Sequence, residues 1–199
     1  DVFDSIPNNV PIPNAAGAAA TFSSEGIVDL ADEFHTPQGT NGRHCATCHA
    51  VESGWSITPL QIQLLFLVTG GAHPIFNPLD AGNPAADFTT VQARKQAYKH
   101  LLTGLFRRGG APVAGAEYKI LAADDPAGFG NTSRFAFFRR PLATANLNLI
   151  TGLMWDDRLT VPGDGRPPRA GLFSQARGNI TGAQQGPVPA DALVNAIVD

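Results

Sequence analysis

Cys45-Ala46-Thr47-Cys48-His49 is a CxxCH pentad, the attachment signature of a c-type haem, and the reading of the whole chain turns on it. Residues three apart on a helical turn share a face. Cys45 and Cys48 can therefore reach two vinyl groups along one porphyrin edge and become thioethers. His49 follows at once, and its imidazole is placed to coordinate iron from the proximal side. The pentad holds both cysteines of the chain. A zinc site calls for a second Cys/His pair at ligand spacing, and the other histidines, His35, His44, His73 and His100, form none. A thioredoxin-like CxxC ends a strand and opens a longer helix. Here Gly42-Arg43-His44 precedes the pentad and Val51-Glu52-Ser53-Gly54 follows it, which predicts loop, one or two turns, then loop. The remaining alternative is a chance CxxCH carrying a reduced dithiol. The expected cofactor is one covalent haem c, held through Cys45 and Cys48.

The 199 residues suffice for one domain of ordinary size or two small ones. A hydrophobic fraction of 43% supports a core, while 21 Gly and 16 Pro direct much of the chain into turns and loops. The net charge of -3, without a basic stripe, argues against a nucleic-acid partner. The apolar run Leu60 to Val68 contains Gln61 and Gln63 and is too short to span a bilayer. The N-terminal Asp1-Val2-Phe3-Asp4 lacks the basic and apolar regions of a signal peptide. Thioether attachment takes place on the oxidising side of a membrane in most systems. The chain therefore reads as exported, periplasmic or extracellular, with its leader removed.

Residues 1–22, rich in Pro, Asn and Ala, read as an extended N-terminal arm, and 23–199 as the c-type haem domain. Ser23 or Ser24 can cap a helix with Ile27, Leu30, Ala31 and Phe34 on one face. Thr58-Pro59 predicts a helix start, cap then Pro at the first position. Thr89 or Thr90 caps a further helix with Val91, Arg94, Tyr98, Leu101 and Leu105 along one stripe. Glu117 to Leu121 and Arg134 to Phe138 read as short strands. Residues 146–154, 170–180 and Pro189 to Val198 read as helical, the last with Leu193, Val194 and Ile197 spaced for burial. That helix meets the chain end without a cap, which suggests that the natural polypeptide, or its partner, continues past Asp199. The predicted fold class is mostly α: a cytochrome c-like helical domain with long irregular loops and at most short strands.

The sixth iron position needs its own donor or stays open. Met154, the single methionine, is either a thioether ligand, which favours ferrous iron, or core filler beside Trp155. His100 is the next candidate; His73 and His35 lie in loops that could reach the iron. Arg139, Arg140 and Arg158 suit the haem propionates, since guanidinium forks match carboxylates, or else are ordinary surface charge. Trp155 is suited to the haem edge and Trp55 to the proximal wall, or each to a core.

Phe138-Arg139-Arg140-Pro141-Leu142-Ala143-Thr144-Ala145-Asn146-Leu147, followed by Leu153-Met154-Trp155-Asp156-Asp157-Arg158, resembles the bacterial di-haem cytochrome c peroxidase and MauG-like superfamily. His73-Pro74-Ile75-Phe76-Asn77 and Leu101 to Arg107 look like a less characterised branch of it. The likeness spans most of residues 25–199, and its specific parts are the pentad and the Trp-Asp-x-Arg region. It implies an all-helical mono-haem domain in which Met154 faces the distal side and is the second iron ligand. It also implies that Gln175 matches a distal-pocket glutamine. The departures are concrete. Asp157 stands where the family has Gly, Gly128 to Phe138 contains no distal histidine, residues 178–188 contain no carboxylate, and there is no second CxxCH. Peroxide cleavage needs an open iron, a distal acid–base group and two electrons. An electron carrier needs only a six-coordinate iron, a haem edge near the surface and a partner. The expectation is therefore electron transfer within an exported redox assembly, with a redox protein or further haem subunit as partner, an oligomer or larger complex as context, and no catalytic residue. The alternatives are the haem domain of a peroxidase-like enzyme whose second haem lies elsewhere, and a structural haem subunit.

Overall fold

The computed structural model describes residues 4–112, 114–125 and 128–199. In chain order its elements are β1 (Ser5–Pro7), β2 (Ile12–Asn14), β3 (Gly17–Ala19), β4 (Ile27–Asp29), α1 (Pro59–Thr69), α2 (Val91–Ala97), β5 (Phe106–Gly110), β6 (Phe135–Arg139), α3 (Arg169–Gly182) and α4 (Asp191–Val198). Single 3-10 turns lie at Cys45–Thr47, Val51–Ser53, Pro78–Asp80, Leu101–Thr103 and Leu147–Leu149.

Helix makes up 28% and strand 12% of the chain, which corrects the expected mostly-α, cytochrome c-like fold. The strands form three two-stranded antiparallel sheets, β1–β4, β2–β3 and β5–β6. Two local decisions explain much of the difference. Where a helix is expected after Ser23 or Ser24, β4 pairs with β1 in the register Ser5↔Asp29, Ile6↔Val28, Pro7↔Ile27. The Asp29 carboxylate then accepts the Ala31 N–H at 2.8 Å, and that of Asp32 accepts the Phe34 and His35 N–H groups at 2.9 and 3.0 Å. These short carboxylates satisfy the backbone donors locally, an alternative that competes with a helix ladder. The expected helix over 146–154 is reduced to the turn Leu147–Leu149. It is bounded by Asn146 and Met154, both left-handed at φ 57 and φ 72, a conformation that no right-handed helix can include. No strand forms over Glu117 to Leu121, whereas β6 forms at the second expected position.

The chain divides into two units: Asp1–Ile57 together with Leu142–Asp199, and the inserted Thr58–Pro141. In the first, α3 and α4 pack together around Ala176, Ile180 and Val194, all buried. Polar bonds flank this seam. Arg169 donates to Asp199 and, at 3.2 Å, to Asn195, and Arg177 pairs with Asp191 at 3.2 Å. The N-terminus of α3 lacks a side-chain cap at Pro168, and the Asp164 carboxylate accepts the Gly171 N–H there at 3.0 Å. That bond, first among several from backbone N–H groups, holds the Asp164 carboxyl below its ordinary value. The residue-1–22 segment carries β1, β2 and β3 and bonds back through Asn8, whose side chain accepts from Ser23 N–H at 2.8 Å and donates to Ser23 O at 2.7 Å.

In the inserted unit, Thr58 begins α1 with a reciprocal box. Its hydroxyl accepts the Gln61 N–H at 3.2 Å while the Gln61 carboxamide oxygen accepts the Thr58 N–H at 2.8 Å. Pro59 fills the first helical position and Gly70 ends the helix in the left-handed conformation. Ile62 and Phe66 face a core of Ile75, Phe76, Tyr98, Leu101 and Phe106. Phe66 meets Phe76 edge-on at 5.2 Å, and the buried Tyr98 hydroxyl donates to Phe76 O at 2.8 Å. Thr90 caps α2, which ends at Ala97, so Tyr98 and Leu101 reach the core from beyond the helix rather than along it.

Candidate functional site

The pentad is closed by one carbonyl. Cys45 O accepts from both Cys48 N–H at 3.1 Å and His49 N–H at 3.0 Å, so Cys45–Thr47 is a tight 3-10 turn. Thr47, buried, accepts the His44 N–H on its hydroxyl at 3.0 Å and fixes the start of the turn. The Ala46 N–H donates to Phe34 O at 3.2 Å, tying the turn to the loop that Asp32 organises. Cys45 and Cys48 are half-buried thiols. Burial, then the neighbouring Cys48 and Asp32, pushes the Cys45 thiol up to about 12, so in the haem-free chain it keeps its proton at neutral pH.

The His49 imidazole is oriented by the backbone. After the pentad, Ala50 N–H donates to Ser56 O at 2.7 Å and Trp55 N–H donates to Ala50 O at 3.0 Å, closing a seven-residue loop. Gly54 and Trp55 are both left-handed, φ 63 and φ 58, and this reversal brings the Trp55 carbonyl back toward the pentad. There it accepts from His49 Nδ1 at 2.9 Å and from Thr144 N–H at 3.1 Å. A carbonyl only accepts, so Nδ1 carries the ring proton and Nε2 carries the lone pair. Burial lowers the His49 pKa, and the bond to Trp55 opposes it. A ring held by its Nδ1–H and kept neutral is the arrangement that a metal-ligating histidine requires. Phe34 lies 6.4 Å from the His49 ring and meets Trp55 edge-on at 5.6 Å, while the Trp55 indole donates to Thr21 Oγ1 at 2.8 Å. His35 joins the cluster at 6.0 Å from Trp55, with its Nδ1 on Asp32 Oδ1 at 2.7 Å.

The third support comes from the far end of the chain. Residues 38–41 run along 183–186, just past α3. Gln38 N–H donates to Gln184 Oε1 at 2.9 Å, Thr40 Oγ1 to Gln185 O at 3.1 Å, and Asn41 Nδ2 to Ala183 O at 2.9 Å. The backbones approach so closely that a side chain at Gly39 would strike the Gln184 carbonyl, and one at Gly186 would come within 2.6 Å of Gln38 O. Gln184 is only 3% exposed, and its Nε2 donates to Cys45 Sγ at 3.9 Å.

Cys45, Cys48, His49 and Trp55 thus stand together. Met154 is half-buried on its left-handed turn, between buried Leu153 and Trp155, which is 58% exposed. Arg158 is engaged in an exposed fork on Asp156, at 2.7 and 2.9 Å. Gln175 sits half-buried on α3, where its carbonyl accepts from Asn179 Nδ2 at 3.4 Å. From just past that helix, Gln184 reaches the Cys45 sulfur. Arg140, His73 and His100 belong to the inserted unit. There Arg140 Nη2 lies 3.5 Å from Thr103 O, His73 Nδ1 accepts the Ile75 N–H at 3.3 Å, and the His100 ring lies 4.4 Å from that of Phe138. Sequence reasoning missed Gln184 and Thr144 as partners of the site. Neither belongs to a local pattern: the Gln184 and Thr144 contacts span 139 and 89 residues of sequence.

The donor set fits a c-type haem: two thiols on one closed turn and an adjoining imidazole with its Nε2 lone pair available. Among the described residues, no group of three or more His, Cys, Asp and Glu side chains is arranged to hold a metal ion by itself. None of their helices is long and apolar enough to cross a membrane. Comparison with known protein families, curated proteins and solved structures finds no match.

Proposed function

We propose that this chain is a c-type cytochrome, with haem joined by thioethers to Cys45 and Cys48 and iron held by His49, and that it transfers electrons within an exported redox assembly. The observation that carries the reading is the His49 Nδ1–H bond to the Trp55 carbonyl, next to two thiols on a single turn. A bound haem supplies a reversible one-electron couple. The chain's own residues do the rest. His49 binds through Nε2, and the Trp55 carbonyl fixes the ring and keeps the proton on Nδ1. Phe34 packs beside the imidazole and against Trp55. Met154 is the proposed sixth ligand, and its soft sulfur raises the potential relative to a second histidine.

Two measurements test this. Co-expression with a c-type maturation system should add the mass of one haem to the intact chain, and the haem should survive on a denaturing gel. Cys45→Ala together with Cys48→Ala should remove that stain entirely. A wild-type chain at its bare mass under these conditions refutes the reading. Met154→Ala should lower the reduction potential; an unchanged potential removes Met154 from the ligand set and leaves attachment standing.

A further inference from the structure

The buried carboxamide of Gln184 has two ends and both are used. Its oxygen accepts from the Gln38 backbone and its nitrogen donates to Cys45 Sγ, across 146 and 139 residues of sequence. Gln38 is itself anchored, since its side chain donates to Thr36 Oγ1 at 3.0 Å and Thr36 O at 3.2 Å. The Gly39 and Gly186 backbones leave no slack between the two segments. The carboxamide is therefore a rigid spacer between a fixed loop and one of the two pentad sulfurs.

We propose that Gln184 is a positioning residue for haem attachment, which sets where the Cys45 sulfur stands when its thioether forms. This rests on the haem reading above. In that step the Cys45 S–H adds across a haem vinyl group. A sulfur–carbon bond forms, the carbon–carbon π bond breaks, and the thiol hydrogen ends on the terminal vinyl carbon, so no oxidant or reductant is consumed.

Gln184→Glu isolates the contact. A carboxylate still accepts the Gln38 N–H but has no N–H for the sulfur. Peptide mapping of the matured protein should show mostly doubly linked chains in the wild type. In Gln184→Glu, chains linked only through Cys48 should rise about fivefold or more, a change equivalent to about 1 kcal/mol at the attachment step. Val194→Ala, a destabilising change in α4, should lower the melting temperature and leave the Cys45-to-Cys48 linkage ratio at its wild-type value. An unchanged ratio in Gln184→Glu, or an equal shift in Val194→Ala, overturns the proposal. A second measurement needs no maturation. In the haem-free wild-type chain, iodoacetamide should alkylate Cys45 more slowly than Cys48, and Gln184→Glu, where it folds, should narrow the difference. Equal wild-type rates overturn the proposal. A chain that accepts no haem, but in which Gln184→Glu narrows the difference between Cys45 and Cys48, rejects the cytochrome reading while supporting the spacer.

Discussion

A single backbone oxygen organises the chemistry of the candidate site. Trp55 O accepts from His49 and Thr144 because Gly54 and Trp55 adopt two successive left-handed conformations, of which the second costs a tryptophan on the order of 1–3 kcal/mol. The pentad and its short turn were legible in the sequence, since thiol spacing and an adjoining imidazole are local. The partner of His49 was not, because it is a carbonyl, which every residue has, and only the backbone path selects it. The neutral ring has a measurable consequence. Burial places the folded-state pKa of His49 below 6.5, and the Trp55 bond recovers only part of the shift. Between that lowered value and 6.5 the unfolded chain binds more protons than the folded one, so stability rises with pH there. The contribution is complete above about pH 6.5 and is lost as the pH falls through that window. Melts of the haem-free protein from about pH 7.5 to about pH 5 should show this slope, and His49→Gln should flatten it. His100, also lowered, by burial and then by Lys99, leaves a residual slope of the same sign. Identical slopes in wild type and variant would show that His49 does not titrate with folding.

Elements with their own punctuation were the ones the sequence revealed. Thr58-Pro59 starts α1 with a cap, a box and a preset φ, and these depend on residues no more than three apart. Thr58→Ala should cost the inserted unit about 1 kcal/mol in urea denaturation; a loss within about 0.3 kcal/mol of zero would mean that the box adds nothing beyond helix packing. Helix α4 was legible for another reason, the Leu193, Val194 and Ile197 spacing, with Val194 fully buried. Failures occur where side chains near the backbone outcompete periodicity. The stripe from Ile27 to Phe34 is helical in spacing, yet Asp29 and Asp32 take the N–H groups a helix would use, and pairing with β1 fixes the strand. Residues 146–154 have helical composition, but Asn146 and Met154 interrupt it from both sides.

At the scale of the molecule, the first unit is built from two distant pieces of sequence joined at the site. Trp55 meets Thr144, and Gln38 to Asn41 meet Ala183 to Gln185, so the insert's flanks are already stitched together. Replacing residues 58–141 with a short Gly-rich linker should therefore preserve a folded first unit, read by circular dichroism, and on the proposed function one that takes covalent haem as the whole chain does, read by haem stain. Loss of both would show that the insert is needed for folding. Charge also follows the division. The first unit carries Arg43, Arg158, Arg166, Arg169 and Arg177 against twelve carboxylates, while the insert carries nine basic groups against five acidic ones. The overall net charge of -3 averages these away, so the asymmetry is legible only once the boundary is known.

The length of chain between Cys45 and its carboxamide neighbour has a temporal consequence. A polypeptide made from its N-terminus exposes Cys45 139 residues before Gln184 is added. Until then the Cys45 sulfur lacks its carboxamide donor. Order of assembly is thus written into the connectivity: any step that needs the carboxamide at the Cys45 sulfur waits until Gln184 has been made.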